Sequence, residues 1–375
     1  MTKNQSKIEK LITELCPNGV EFLELGDVVE ILDNQRKPVS KSQRTGGQYP
    51  YYGANGIQDY VDDYIFDGTF LLLGEDGSVI NKDGSPVLNW ATGKIWVNNH
   101  AHILAEKREM ALLRYVYFAL SEIDVTKVVK GNIPKITQQS LRSFKIPIPP
   151  LAIQQEIVKI LDSFTELEAE LEAELEARKK QYEYYRNELI ANNKKEFENK
   201  KIGEITNVMR GRRLTKNKLL DNNKYPVYHG GLNPIGYYDK SNRNANTTMI
   251  INVGASAGTV GYSSIGFWSS DGCYCIEHSN VLISRYVYYA LLCQQDVMKA
   301  KVRFAGIPTL DAKAVENIII PTPPLFEQKR IVLILDKFDA LVNDISIGLP
   351  AELKARRQQY EYYRNKLLTF KEFKK

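Results

Sequence analysis

Residues 146–164 read IPIPPLAIQQEIVKILDSF and residues 320–338 read IPTPPLFEQKRIVLILDKF, with 12 of 19 positions identical. A second pair of blocks follows in the same order, ARKKQYEYYRNELI from Ala177 and ARRQQYEYYRNKLL from Ala355, the later copy carrying four more residues between its blocks. Chance does not produce two such matches in sequence, so the chain is an internal duplication. Fainter echoes precede them: LGDV at 25–28 against IGEI at 202–205, YPYYG at 49–53 against YPVYH at 225–229, and YVYFAL from Tyr115 against YVYYAL from Tyr286. Each half therefore consists of a variable globular region, roughly 20–146 and 200–319, followed by a constant helical one.

The prolines of the repeat (Pro147, Pro149, Pro150 and Pro321, Pro323, Pro324) hold the chain extended, and helix begins just beyond them. In the first copy, Ile157, Ile160, Phe164, Leu167, Leu171 and Leu175, then Tyr182, Tyr185 and Leu189, form one apolar stripe at helical spacing. A helix over about 152–191 would be ~60 Å long. A stripe of that length needs a second helix to cover it, and Ile331, Ile334, Phe338, Leu341 and Ile345 repeat the spacing. Gly348 and Pro350 predict a kink or short break there.

The expected architecture is α+β. Two globular domains (1–146 with an N-terminal helical segment, and 200–319) alternate with two long helical segments (147–199 and 320–375) that pair as an antiparallel coiled coil, giving a pseudo-twofold internal repeat. Within the globular regions, Thr69–Leu73 and Thr248–Val253 read as strands, Arg114–Ser121 and Arg285–Gln294 as helices. Inside the first long helix, Glu-Leu-Glu-Ala occurs three times running, from Glu166 to Ala177. One reading is a solvated acidic face; the other is a spacer, since one unit more or less moves the helix ends by ~6 Å and turns the stripe by ~40°.

The composition excludes several classes. With 375 residues, 43% of them hydrophobic, the chain buries substantial cores, and its net charge of +5 is too mild to name a partner. Cys16, Cys273, Cys275 and Cys293 lack zinc-ligand spacing and read as ordinary thiols in a reducing compartment. The charged N-terminus has no signal-peptide core, and no apolar run reaches the ~20 residues that span a bilayer. A cytoplasmic protein without a membrane partner is expected.

Local charge is more telling. From Lys201 to Lys240 there are eight basic and three acidic residues, with Arg210, Arg212, Arg213, Lys216 and Lys218 crowded around Gly211, a pattern suited to phosphate contacts. Tyr49, Tyr51, Tyr52 and Asn55, and their counterparts Tyr228 and His229 with Asn233 close by, read as loops that offer aromatic and polar edges to a groove; half-buried turn packing is the alternative. Lys94, Trp96, Asn98, Asn99 and His100 form a polar cluster. Lys127, Lys130 and Lys135 flank Gly131-Asn132-Ile133-Pro134, and Lys299, Lys301, Arg303 and Phe304 precede Ala305-Gly306-Ile307-Pro308. That recurring basic, Gly-Ile-Pro pattern predicts a backbone-contacting loop in both halves.

Taken together, the IP-x-PPL-x-x-Q blocks, the repeated QYEYYRN helices, the tetrapeptide run and the alternation of variable with constant regions resemble the specificity subunit of type I restriction-modification systems, over the whole chain. The resemblance implies two target-recognition domains, each reading one half of a split, asymmetric sequence in double-stranded DNA. It also implies helices that set the gap and dock two modification subunits, with restriction subunits joining where present. Cofactors would then belong to the partners, S-adenosylmethionine in the modification subunits and ATP with Mg2+ in the restriction subunits. At 375 residues the chain is short for that family, which favours short half-sites.

No catalytic constellation competes with this reading. There is no Walker loop, Asn233-Pro234-Ile235-Gly236 is not a methyltransferase target-base motif, and His100, His102, His229 and His278 have no nucleophile at a recognisable spacing. The chain is expected to be non-catalytic, with no metal. Two rivals remain at this stage: a coiled-coil scaffold whose domains bind a ligand other than DNA, and a divergent nuclease or methyltransferase with a degenerate site.

Overall fold

A computed structural model describes residues 6–107, 109–129 and 134–373, without the side chains of 192–196. The chain forms two compact units, one holding residues up to Glu170 together with those from Lys354 onward, the other Leu171–Leu353. Each combines sheet and helix, and the first is discontinuous in sequence.

In the first unit a six-stranded sheet runs in the order Val29–Ile31, Ala101–Glu106, Phe66–Gly74, Leu88–Val97, Gly46–Gly53, Gly56–Val61. All neighbours are antiparallel except the last two residues shared by Gly46–Gly53 and Leu88–Val97, where Tyr51 lies beside Trp96 and Tyr52 beside Val97 in parallel. The second unit repeats this plan with shorter strands. Val208–Arg210, Cys273–Ile276, Thr247–Ile251 and Val260–Ser263 form one sheet; Gly236–Tyr238, Tyr225–Tyr228 and Trp268–Ser269 form another. Its single parallel pairing sets Val227 beside Trp268 and Tyr228 beside Ser269, the counterparts of the pairs above. The one strand Leu88–Val97 is thus represented by two short pieces, which splits the sheet.

The Pro-Gln blocks explain themselves in three dimensions. Gln154 is fully buried; its Oε1 accepts from Leu112 N (2.9 Å) and its Nε2 donates to Pro149 O (2.8 Å). Gln328 repeats both bonds with Ile283 N (2.8 Å) and Pro323 O (2.8 Å). Proline carbonyls with no strand partner are satisfied by a side chain held in the first helical turn. The preceding helices, Leu113–Leu120 and Ser284–Leu292, lie within a residue or two of the predicted ranges. Tyr115 and Tyr286 donate to Pro147 O (2.9 Å) and Pro321 O (3.1 Å).

The first long helix runs Leu151–Glu196, five residues beyond the predicted end. Ile153, Ile157 and Leu161 enter the core of the first unit, where Leu367 and Leu368 from the helix Leu349–Leu368 join them. Phe164 stacks on Tyr363 (5.5 Å between centroids), and Glu168 pairs with Arg357 (2.6 Å). In the second unit Tyr182 and Ile190 of the same helix join Ile331, Leu335 and Val342 of the helix Leu325–Asn343, and Tyr185 stacks on Phe338 (5.6 Å). Phe164 and Phe338 occupy matching places in the repeat, so the two stacks are copies of one contact.

The break expected near Gly348 lies between Asn343 and Leu349. Asp344 turns the chain by accepting from Ser346 N (2.7 Å). A side chain at 348 would put Cβ 2.4 Å from Ala340 O, so glycine is needed there.

The four cysteines are free thiols, Cys273 and Cys275 being buried. Among the described residues no helix is long and apolar enough to cross a membrane.

Candidate nucleic-acid interface

The parallel pairing builds the same corner in each unit. In the first, Trp96 Nε1 donates to Lys37 O (2.6 Å) and Asn98 N donates to Tyr52 O (3.0 Å). In the second, Trp268 Nε1 donates to Arg212 O (2.7 Å) and Ser270 N donates to Tyr228 O (3.0 Å). Both units therefore pin a basic segment, Arg36-Lys37 or Arg212-Arg213, beside the strand ends by an indole. Lys37 and Trp268 escaped the sequence reading; the indole-to-basic spacing in both halves is the signal that would have found them.

In the second unit the corner opens into a cleft of about 340 Å³ whose lining includes Arg213, Thr215, Lys216, His229, Ser270 and Asp271. Gly211 makes the approach possible, because a Cβ there would sit 1.9 Å from Ser270 O. Gly272 N donates to His229 Nδ1 (3.2 Å), which orients the ring, and Asp271 Oδ1 lies 3.3 Å from the same nitrogen. Three predicted residues, Arg213, Lys216 and His229, thus come together. Arg210 and Arg212 are exposed on the approach, Asn233 is exposed on the bend after His229, and Tyr228 is half-buried against Phe267 (5.4 Å).

The first unit fills the same corner differently. His100 Nδ1 lies 2.5 Å from Asp76, and Lys135 pairs with Glu75 (3.1 Å) and lies 3.9 Å from Asp76. Below them Asp33 is buried, 2.6 Å from His102 Nδ1, and accepts from Ile103 N (3.0 Å) and Gln138 Nε2 (2.9 Å). Burial alone would raise the Asp33 carboxyl; the His102 ring and the Ile103 amide outweigh it and hold the group below the usual aspartate value. Asp33, Glu75 and His102 bring possible metal-ligand atoms within 4.8 Å of one another. Arg36 (2.5 Å from Glu75) and Lys135 pair with the same carboxylates, so the cluster is held as an ion-pair network.

Lys94 and Tyr49 are linked through Tyr64, whose ring lies 4.5 Å from the ammonium and 5.1 Å from the Tyr49 ring. The Tyr64 hydrogen bond raises the Lys94 ammonium above its ordinary value. Asn55 is exposed in the turn after Gly53. Lys301 and Arg303 are exposed, Arg303 pairing with Asp311 (2.7 Å). Lys130 lies outside the described residues.

Three candidates are corrected. Tyr51, Tyr52 and Asn98 are buried and belong to the fold. The Tyr51 hydroxyl lies 3.2 Å from both Val39 N and Val39 O, and the Arg44 guanidinium lies over its ring (4.1 Å). Asn98 Oδ1 accepts from His100 N (2.8 Å), so it shapes the corner from beneath. The segments read as groove-entering loops are strands over Tyr49–Gly53 and Tyr225–Tyr228, each paired antiparallel with the strand that follows it and in parallel with Leu88–Val97 or Trp268–Ser269 on its other side.

A family model described as the type I restriction modification DNA specificity domain matches twice, over residues 17–177 and 194–355. The chain belongs to this family. A protein of Haemophilus influenzae assigned as a type I restriction enzyme specificity subunit is 36% identical over 398 residues, covering 99% of this chain and 100% of that one. The specificity subunit of the Escherichia coli EcoR124I/EcoR124II enzymes is 32% identical over 413 residues, covering 97% of each. The fold is shared with a crystal structure of the type I restriction-modification S subunit from M. genitalium (TM-score 0.65, 21% identity, 93% of this chain and 96% of that one). A chain from work on complex assembly and conformational transition of the type I system also matches (TM-score 0.57, 16% identity, 94% and 98%). Specificity subunits are the non-catalytic DNA-recognition components of type I restriction-modification systems, and two target-recognition domains fit a bipartite site.

Proposed function

We propose that each unit reads one half-site of an asymmetric bipartite sequence through its indole-pinned corner, and that the helical segments set the gap. In this reading 1–146 and 200–319 are the readers. The segments 147–199 and 320–375 pair as one antiparallel coiled coil and relate the readers by a pseudo-twofold axis, so that each meets a DNA strand of equivalent polarity. The observation that carries the proposal is the corner itself. Its backbone frame is the same in both units, whereas the side chains it presents differ: His100, Lys135 and Asp76 in one, Arg213, Lys216 and His229 in the other. A common frame with different chemistry is what two unlike half-sites require.

Phosphate contacts fall to Lys94, Arg210, Arg212, Arg213, Lys216, Lys301 and Arg303, and base edges to Tyr49, Asn55, His100, Tyr228, His229 and Asn233. Lys135 extends the first corner, and Lys130 is assigned to phosphate from the sequence alone. The partners are two modification subunits, which hold S-adenosylmethionine, and, in a restricting complex, restriction subunits that use ATP and Mg2+. The work takes place in the cytoplasm, where the DNA is.

Single-molecule methylome sequencing of cells carrying variants tests this. Exchanging residues 200–319 for another reader should change one half-site and leave the other intact. Deleting Glu170–Ala173 should shorten the gap and keep both half-sites. An unchanged gap would sink the spacer role, and a change in both half-sites would sink the division of labour.

A further inference from the structure

In the second unit the chain that follows the helix Gln295–Lys299 folds back on itself between Arg303 and Thr309, and these residues exchange both backbone hydrogen bonds (2.9 and 3.0 Å) as an isolated bridge. The tip they enclose is braced further. Gly254 N donates to Pro308 O (2.9 Å), Leu310 N donates to Asn252 O (2.9 Å), Thr309 Oγ1 donates to Ile307 O (2.9 Å), and Gly306 takes a left-handed φ of +84°. A tip so fixed would be expected to carry polar side chains outward. Instead Phe304 is 74% exposed and Ile307 70% exposed, while Lys299, Lys301 and Arg303 stand exposed on the approach.

The tip lies beside the candidate reading cleft. Val253, which pairs with Thr309, is close enough to Gly272 that a Cβ there would sit 2.7 Å from Val253 Cγ1 and 2.6 Å from His229 Nδ1. A rigid hairpin carrying two projecting apolar groups on a basic approach, next to a cleft of Arg213, Lys216 and His229, has the make-up of an apolar wedge for a polyanion whose interior is flat and apolar. We infer that Phe304 and Ile307 insert between base pairs beside the second half-site and unstack one step, while Lys299, Lys301 and Arg303 hold the flanking phosphates. The inference rests on the reading above that this corner faces the duplex. It adds that recognition in this half deforms the DNA.

The test uses the chain assembled with its modification subunits, on a duplex bearing the site mapped by methylome sequencing. 2-Aminopurine is placed at successive positions across and beside the second half-site, away from the methylated base. The wild-type complex should raise fluorescence several-fold at one step. Phe304→Ala with Ile307→Ala should return that step to the free-duplex level and weaken binding on the order of tenfold, and Phe304→Leu should restore part of the signal. A signal that persists in the double alanine variant, or no enhanced step in the wild type, overturns the wedge. A normal signal with loss of a modification subunit on size exclusion would mark the tip as a protein contact and overturn it equally. Arg213→Ala separates the two ideas: if it leaves second-half-site affinity intact, the placement of the cleft fails, whereas the wedge is judged by the fluorescence of the tip variants alone.

Discussion

In the first unit Arg114 pairs with Asp162 (2.8 Å) and lies against Trp90, Tyr117 and Phe118; in the second Arg285 pairs with Asp336 and Asp339 (2.7 Å each) and lies against Tyr262, Tyr288 and Tyr289. The same guanidinium does the same work between reader and helix, as do Gln154 and Gln328, and the two stacked phenylalanine-tyrosine pairs repeat one contact between helices. Away from the helices the likeness thins. Asp33, in the turn just after Val29–Ile31, is buried against His102, whereas Arg210, at the end of Val208–Arg210 in the second unit, is exposed. The corner imidazole comes from His100, in the turn before Ala101–Glu106, in one unit and from His229, just after Tyr225–Tyr228, in the other. Duplication has kept the contacts that attach a reader to a helix and freed those that meet a ligand.

The largest expected effect tests the conserved end of that contrast. Gln154→Ala and Gln328→Ala each strand a buried amide and a buried carbonyl, and each should cost about 3 kcal/mol. Urea unfolding can follow the halves separately, because Trp90 and Trp96 report on the first unit and Trp268 on the second. A loss confined to one variant would break the equivalence.

Acid should then distinguish the halves. Asp33 is held below its ordinary value, so its stabilisation is complete above about 3.9 and drains away as pH falls through the lower folded value. The first unit should therefore lose this contribution on acidification. Asp33→Asn should cost about 2 kcal/mol at neutral pH and flatten the acid dependence of the tryptophan signal from that unit. An unchanged acid profile would show that the cluster does not set it.

The smallest effect concerns the divergent end. Arg213→Ala should weaken binding to the second half-site about tenfold and lower the salt slope by about one, leaving discrimination at the first half-site as it was. Fluorescence anisotropy on duplexes with either half-site scrambled reads both quantities.

The duplication was legible because it lies in local sequence: prolines, a glutamine three residues into a helix, and aromatic residues at helical spacing carry their own geometry. The candidate site was legible only in part. Arg213, Lys216 and His229 stood out by charge and type, and the cleft unites them. Tyr51, Tyr52 and Asn98 misled, since a tyrosine-rich run gives no sign of a parallel strand on its far side that buries it. Nor does an apolar stripe name its partner: that Leu367 and Leu368 complete the first unit and not the second is a long-range choice that periodicity does not record.

That choice bears on how the molecule is made. Val20 N donates to Lys371 O (2.9 Å), Phe373 N donates to Val20 O (2.8 Å), and Gly19 is needed because any Cβ there would meet Lys371 O at 2.3 Å. A ribosome therefore makes everything the second unit needs by Leu353, while the opening 170 residues of the polypeptide wait, uncapped, for the segment that begins at Lys354. Premature termination near that point should leave the later half folded and the earlier half exposed to proteases, inverting the usual order in which nascent domains become safe.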